Sequence, residues 1–209
     1  MQTDISVASF WITNPTNHLS YNRAAGGDFY GYWYEIKPRP DGPSATSDVC
    51  PIGNPLGESH HNVAHSYKRF GLRIFKLASR ERPCAGISID TANSSNSRNP
   101  SVNSVFSDYV TYRIGESGLL AEETGHATFR NFLVADNGHS GMEFFITVFT
   151  GNYVLAENVT IVGQASINPS LDPGRVNSAR GIIAPRLTSK EWKISNIKYH
   201  NFYGSMACL

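Results

Sequence analysis

The sequence predicts an all-β fold, a right-handed parallel β-helix (solenoid) with long inserted loops. Three observations predict it: the lack of helical periodicity, an apolar strand that recurs behind a glycine, and the spacing of those glycines. No long window keeps apolar residues at i, i+3, i+4 and i+7, the mark of an amphipathic helix. What recurs is four to six residues of Val, Ile, Phe, Tyr or Leu, followed by Gly, Asn or Asp. That is strand-and-turn grammar. A doubly wound α/β fold needs helices between its strands. A β-sandwich also has short strands and turns, but the glycine register favours the β-helix.

The repeated segments are Gly31-Tyr32-Trp33-Tyr34, Gly71-Leu72-Arg73-Ile74, Gly118-Leu119-Leu120-Ala121, Gly141-Met142-Glu143-Phe144 and Gly181-Ile182-Ile183-Ala184. Side chains alternate across a strand. The first column after glycine (Tyr32, Leu72, Leu119, Met142, Ile182) and the third (Tyr34, Ile74, Ala121, Phe144, Ala184) are apolar or aromatic and are expected to point inward. The second (Trp33, Arg73, Leu120, Glu143, Ile183) and the fourth (Glu35, Phe75, Glu122, Phe145, Pro185) are mixed and are expected outside. Glycine is expected where the chain bends into the strand. Asn22 and Asn62 each stand nine positions before a glycine, and Asn131 opens a related element. Asparagine suits a left-handed corner and can ladder its amide from coil to coil. A spacing near twenty residues, lengthened by insertions, fits one coil per repeat.

Two stretches read as inserted loops, about 37–57 and 85–104. The first is proline-rich and the second is mostly Asn and Ser around residues 92–103. The 209 residues suit one domain, 1–209. Lys plus Arg (18) nearly balance Asp plus Glu (17), so no nucleic-acid surface is implied. No apolar run approaches the ~20 residues that span a bilayer. The start has no signal-peptide pattern, so the expectation is either a cytosolic protein or an internal piece of a longer secreted chain. Cysteines and sequons favour the second. Cys50 and Cys84 bracket a turn-rich stretch and could close it with a disulfide, leaving Cys208 free or intermolecular. Asn93 and Asn158 open N-glycosylation triplets.

Candidate chemistry is sparse. Glu58, His60, His61 and His65 fall close together. On one strand His61 and His65 would share a face, but solvated corner histidines explain them as well, and no metal or cofactor is assigned. β-Helix enzymes that cleave polysaccharides carry carboxylates on an outer face. Glu122 and Glu143 are the available pair, and glycoside hydrolysis asks for a separation of ~5–9 Å. Trp33, Glu35, Arg73 and Glu143 form a candidate carbohydrate-binding patch, an aromatic platform with charged groups for hydroxyls. The competing reading covers Trp33 with the 37–55 loop. Trp11 and Trp192 are expected to pack.

The residues Ala8-Ser9-Phe10-Trp11-Ile12-Thr13-Asn14-Pro15-Thr16-Asn17, then Asn22-Arg23-Ala24-Ala25-Gly26 and Gly31-Tyr32-Trp33-Tyr34, resemble the β-helix region of the fibrocystin-L family. The likeness continues through Pro40-Asp41-Gly42-Pro43-Ser44, Pro55-Leu56-Gly57-Glu58, Asn62-Val63-Ala64-His65-Ser66 and Ile197-Lys198-Tyr199-His200-Asn201-Phe202. The resemblance implies a fragment of a large cell-surface protein that carries immunoglobulin-like, G8 and β-helix modules. It also implies kinship with the G8/β-helix cell-surface hyaluronidases. Their proposed catalytic positions lie upstream of the matched region, so no catalytic residue is assigned.

The expected role is an extracellular structural or adhesive module at a cell surface, with a ciliary or flagellar surface as one option, assembling into a surface filament or sheath. Its partners would be other modules of the same protein or neighbouring copies, met through open coil ends at 1–9 and 201–209. The alternative role is a polysaccharide-binding or polysaccharide-cleaving, hyaluronidase-like domain.

Overall fold

The computed structural model describes residues 6–85, 99–147, 153–163, 180–188 and 191–202. Strands dominate them, and the only helical turns among them are two short 3-10 turns, Gly42–Ser44 and Pro51–Gly53. The strands fall into successive rungs. β1 (Ala8–Ile12) is followed by β2 (Leu19–Ser20), β3 (Arg23–Gly27) and β4 (Tyr30–Glu35). The next rungs are β5 (Ser59–His60), β6 (Val63–Tyr67) and β7 (Phe70–Leu77), then β8 (Ser104–Ser107), β9 (Val110–Tyr112) and β10 (Ser117–Thr124). After them come β11 (Ala127–Arg130), β12 (Leu133–Ala135), β13 (Ser140–Phe144) and the short β14 (Ile146–Thr147). β15 (Val154–Val162), β16 (Arg180–Ile183), β17 (Leu187–Thr188) and β18 (Trp192–His200) complete the set.

All named strands pair in parallel. One sheet runs β1-β4-β7-β10-β13-β16, with the short β14 and β17 at its side; up to β13 each step along it skips two strands of the other sheet, and the last skips β15. The long strands β15 and β18 each do the work of two shorter strands in that second sheet. The glycine register is the register of the first sheet. Tyr32 pairs with Leu72, Leu72 with Leu119, Leu119 with Met142 and Met142 with Ile182. The inward columns are buried as the alternation requires: Tyr32, Tyr34, Leu72, Ile74, Leu119, Ala121, Met142 and Phe144 all lie in the core.

The reason for the glycines differs from the expected bend. Among the described residues the only glycines with positive φ are Gly26 and Gly42. Gly118 lacks a side chain because there is no room for one. A β-carbon there would lie 2.5 Å from Thr111 Oγ1, 2.6 Å from Val134 Cγ1 and 2.8 Å from Asn137 Nδ2. The column packs against side chains of the opposite sheet, Thr111 and Val134 at Gly118 and Ile161 at Gly141.

The corners are made by left-handed residues. Tyr21, His61, Asp108, Asn131, Asn158 and Asn196 share one corner and all have φ between 53° and 59°. A lone αL residue turns the chain sharply, at a steric cost that Asn and Asp bear best. Asn131 therefore aligns with His61, one place before the Asn22–Asn62 column with which its sequence context groups it. Asn62 sits inside, fully buried, and receives hydrogen bonds from the Asn22 backbone N–H at 3.0 Å and side-chain amide at 3.2 Å.

Aromatic rings stack from rung to rung in the interior, with Phe10 on Tyr32 at 4.8 Å, Phe106 on Phe129 at 5.5 Å and Tyr109 on Phe132 at 5.3 Å between centroids. Such pairs add to their area burial about 0.5–1.5 kcal/mol each. A disulfide joins Cys50, in the loop after β4, to Cys84, in the segment after β7. It ties the insertions of two neighbouring rungs together.

Candidate functional site

The outer face of the first sheet carries the only second apolar cluster described, formed by Tyr30, Trp33, Phe70 and Leu120, with Ala8, Phe29 and Phe145 packed beside it. It exists because the outward column runs Trp11, Trp33, Arg73, Leu120, Glu143, Ile183 along consecutive strands. Parallel strands lie ~4.8 Å apart, so flat groups in one column stack. Trp11 lies on Trp33 with centroids 5.4 Å apart and planes 8° from parallel. On the other side of Trp33 lies the Arg73 guanidinium, 5.7 Å from its ring centroid.

Arg73 is the hub. It donates to the Tyr30 hydroxyl at 2.8 Å and to Glu122 Oε2 at 2.9 Å, and it also faces the rings of Tyr30 and Phe75. Planar guanidinium suits this use better than an ammonium would, because it stacks and pairs at once. Glu35 accepts a hydrogen bond from Trp11 Nε1 at 3.0 Å.

The four residues of the predicted patch therefore lie on one face but in different states. Trp33 is 7% exposed, covered by Trp11 above it and by Tyr30 and Arg73 beside it. Arg73 is engaged with Glu122 and Tyr30. Glu143 is two strands from Arg73, with Leu120 between, and turns to Ser117 Oγ at 3.4 Å and His139 at 4.0 Å. The solvent-facing aromatic is Trp11, 56% exposed, which the sequence reading set aside as a packing residue. Its exposure follows from standing in the outward column of the first rung, a position legible only once β1 is aligned with β4. Trp192 does pack, against Phe144 at 5.6 Å.

Glu122 and Glu143 stand on adjacent strands, two residues apart along the sheet, each held by a different cation or hydroxyl. The histidines do not form one strand. His61 is at the left-handed corner, so His60 and His61 meet edge to face with Nδ1 atoms 2.9 Å apart, while His65 stacks on Tyr112 on the next face. Asp108 beside them is partly buried, which alone would raise its pKa. Hydrogen bonds from Ser107 and Asn131 and the nearby His61 and His60 outweigh that and hold its carboxyl below the usual range. No group of three or more metal-ligating side chains occurs among the described residues. Asn93 and Cys208 lie outside the described residues.

Residues 1–72, which hold Trp11, Trp33 and Glu35, match the family described as the CEMIP beta-helix. Human fibrocystin-L is 29% identical over 210 residues, covering 97% of this chain. The chain is similar to fibrocystin-L. Human cell surface hyaluronidase CEMIP2 is 28% identical over 147 residues, 64% of the chain. The human cell migration-inducing and hyaluronan-binding protein is 38% identical over 71 residues, 33% of the chain. The similarity to fibrocystin-L thus covers 97% of the chain, while that to the hyaluronan-binding protein is confined to a third of it. The chain spans only 5% of the length of human fibrocystin-L and 11% of that of CEMIP2. No helix among the described residues is long and apolar enough to cross a membrane.

Proposed function

We propose that residues 1–209 form a single right-handed parallel β-helix, a rigid structural or adhesive module of a larger cell-surface protein. Through its end rungs it stacks on other modules of that protein or on neighbouring copies. Right-handed crossovers between parallel strands are the strong rule in proteins, and the parallel register carries the solenoid. The observation behind the role is the last described rung. Ile194 stands in the column of Phe106, Phe129 and Ala156, and Tyr199 in that of Ala24, Ala64, Thr111, Val134 and Ile161. Every earlier member is buried, yet Ile194 is 49% and Tyr199 50% exposed. Core columns that end in the open, on a strand (β18) whose other edge pairs with no strand among the described residues, are templates for another rung. Sedimentation across a concentration series is expected to show self-association that the double variant Ile194→Lys, Tyr199→Lys weakens. A wild-type chain that stays monomeric throughout, or a left-handed coil in a crystal structure, would overturn this reading.

A second reading is a polysaccharide-contacting surface, favoured by Trp11. Its ring is flat against Trp33, open to solvent, and fixed by Glu35 within the segment that matches the CEMIP beta-helix family. Stacking of a sugar ring on it should shift the Trp11 indole N–H resonance when hyaluronan oligosaccharide is added, and Trp11→Ala should abolish binding. No shift up to saturating sugar would remove this reading.

A further inference from the structure

We infer that Asn158 is an N-glycosylation site built into the corner of the fold, and that its glycan marks this edge as a solvent-facing one. The left-handed corner column is an amide ladder in the making. Asn196 Nδ2 donates to Asn158 Oδ1 at 2.8 Å, and Asn131 Nδ2 donates to Asp108 Oδ1 at 2.9 Å. The step between them is missing: Asn158 Nδ2 makes no hydrogen bond among the described residues. The ladder is thus interrupted at the nitrogen that a glycan would carry, while the carbonyl of the same amide is held in place by the next rung.

The surrounding geometry permits the sugar. Asn158 is exposed, as are Asn131 before it and Asn196 after it. Val159 is fully buried, so the alternation turns Thr160, the hydroxyl residue of the triplet, back outward, where it is partly exposed beside Leu133 and Lys198. The left-handed φ of 54° sets Asn158 at the corner of the chain, where the backbone turns. The neighbouring Arg130–Glu157 ion pair leaves a polar rim with no core to cover. Attachment needs a lipid-diphosphate oligosaccharide as donor. The amide nitrogen forms a bond to the anomeric carbon, the bond from that carbon to the diphosphate oxygen breaks, the lipid diphosphate leaves with the electron pair, and the amide gives up one proton.

This inference rests on the cell-surface reading, because only a chain entering the secretory pathway meets that donor. The test is expression of the full chain behind a secretory leader in a eukaryotic cell, with glycopeptide mass spectrometry on both medium and lysate. The peptide spanning Asn158 is expected to carry hexosamine. Thr160→Ala should abolish the modification and Thr160→Ser should retain part of it; both keep the asparagine itself unchanged. Secreted, folded protein with an unmodified Asn158 peptide would overturn the site and leave the cell-surface reading standing. Chain that is retained in the cell but glycosylated would support the site and count against that reading. Chain that is neither secreted nor modified would overturn both.

Discussion

Replacing Gly118 with alanine is expected to lower the free energy of unfolding by about 3 kcal/mol, near the upper end for overpacked cores. The added methyl would meet Thr111 Oγ1, Val134 Cγ1 and Asn137 Nδ2 at 2.5–2.8 Å. None of these is the far end of a flexible side chain. Thr111 and Val134 are β-branched and stiff, and Asn137 is tied through its carbonyl to the Ile114 backbone N–H at 3.0 Å. Thr111 Oγ1 and Asn137 Nδ2 are already buried without a hydrogen-bond partner among the described residues, so neither gains from being pushed. Gly26 supplies the contrast. Its φ is 74°, but nothing lies within 4 Å of where a β-carbon would stand. Gly26→Ala should therefore cost only the left-handed penalty of about 1 kcal/mol. Urea denaturation of both variants separates lack of space from backbone strain. Equal losses at the two positions would mean that the side chains around Gly118 yield to the methyl and that lack of space is not what keeps the column glycine.

That contrast also shows what the sequence could and could not reveal. The alternation around the five glycines is a local property with period two, so the register of the first sheet was legible, down to Tyr32 over Leu72 over Leu119. The purpose of the glycines was not, because it depends on how near the opposite sheet comes. Asn131 shows the same limit. Its neighbours read like those of Asn62, but one residue of offset moves a side chain from the interior to a corner, and only pairing across rungs fixes the offset. Trp33 and Arg73 were correctly placed on the outer face. Whether an outer face is open depends on its own column, and here the column supplied the cover: Trp11 above and the Glu122 carboxylate opposite Arg73. A lone strand does not reveal such cover, since the covering groups come from strands far apart in sequence.

Asn62→Ala is expected to destabilise the chain by about 3–5 kcal/mol. Asn62 is fully buried and uses its whole amide: Nδ2 donates to the Leu19 carbonyl at 2.8 Å and to the Tyr109 hydroxyl at 3.1 Å, and Oδ1 accepts from both Asn22 groups. The network continues from the Tyr109 hydroxyl through Ser59 Oγ to the Tyr34 hydroxyl, each step 2.8 Å. Truncation strands the Leu19 carbonyl and the Asn22 N–H at about 1–3 kcal/mol apiece, and opens a cavity besides. Asn22→Ala removes the rung before it, but there the site is only half-buried and water replaces the lost partner, so about 1 kcal/mol is expected. The same network predicts behaviour in alkali. Burial pushes the Tyr34 and Tyr109 phenols above the ordinary value of 10, so the folded state keeps protons that the unfolded state gives up. The resulting stability is present below pH 10 and is lost as pH rises beyond it. Phenolate absorbance from these tyrosines should therefore appear together with loss of β-structure, as one transition, and Asn62→Ala should move that transition to lower pH. Ionisation of the full tyrosine complement while the fold persists would show that the interior columns open to solvent without unfolding, which a continuously stacked core does not allow.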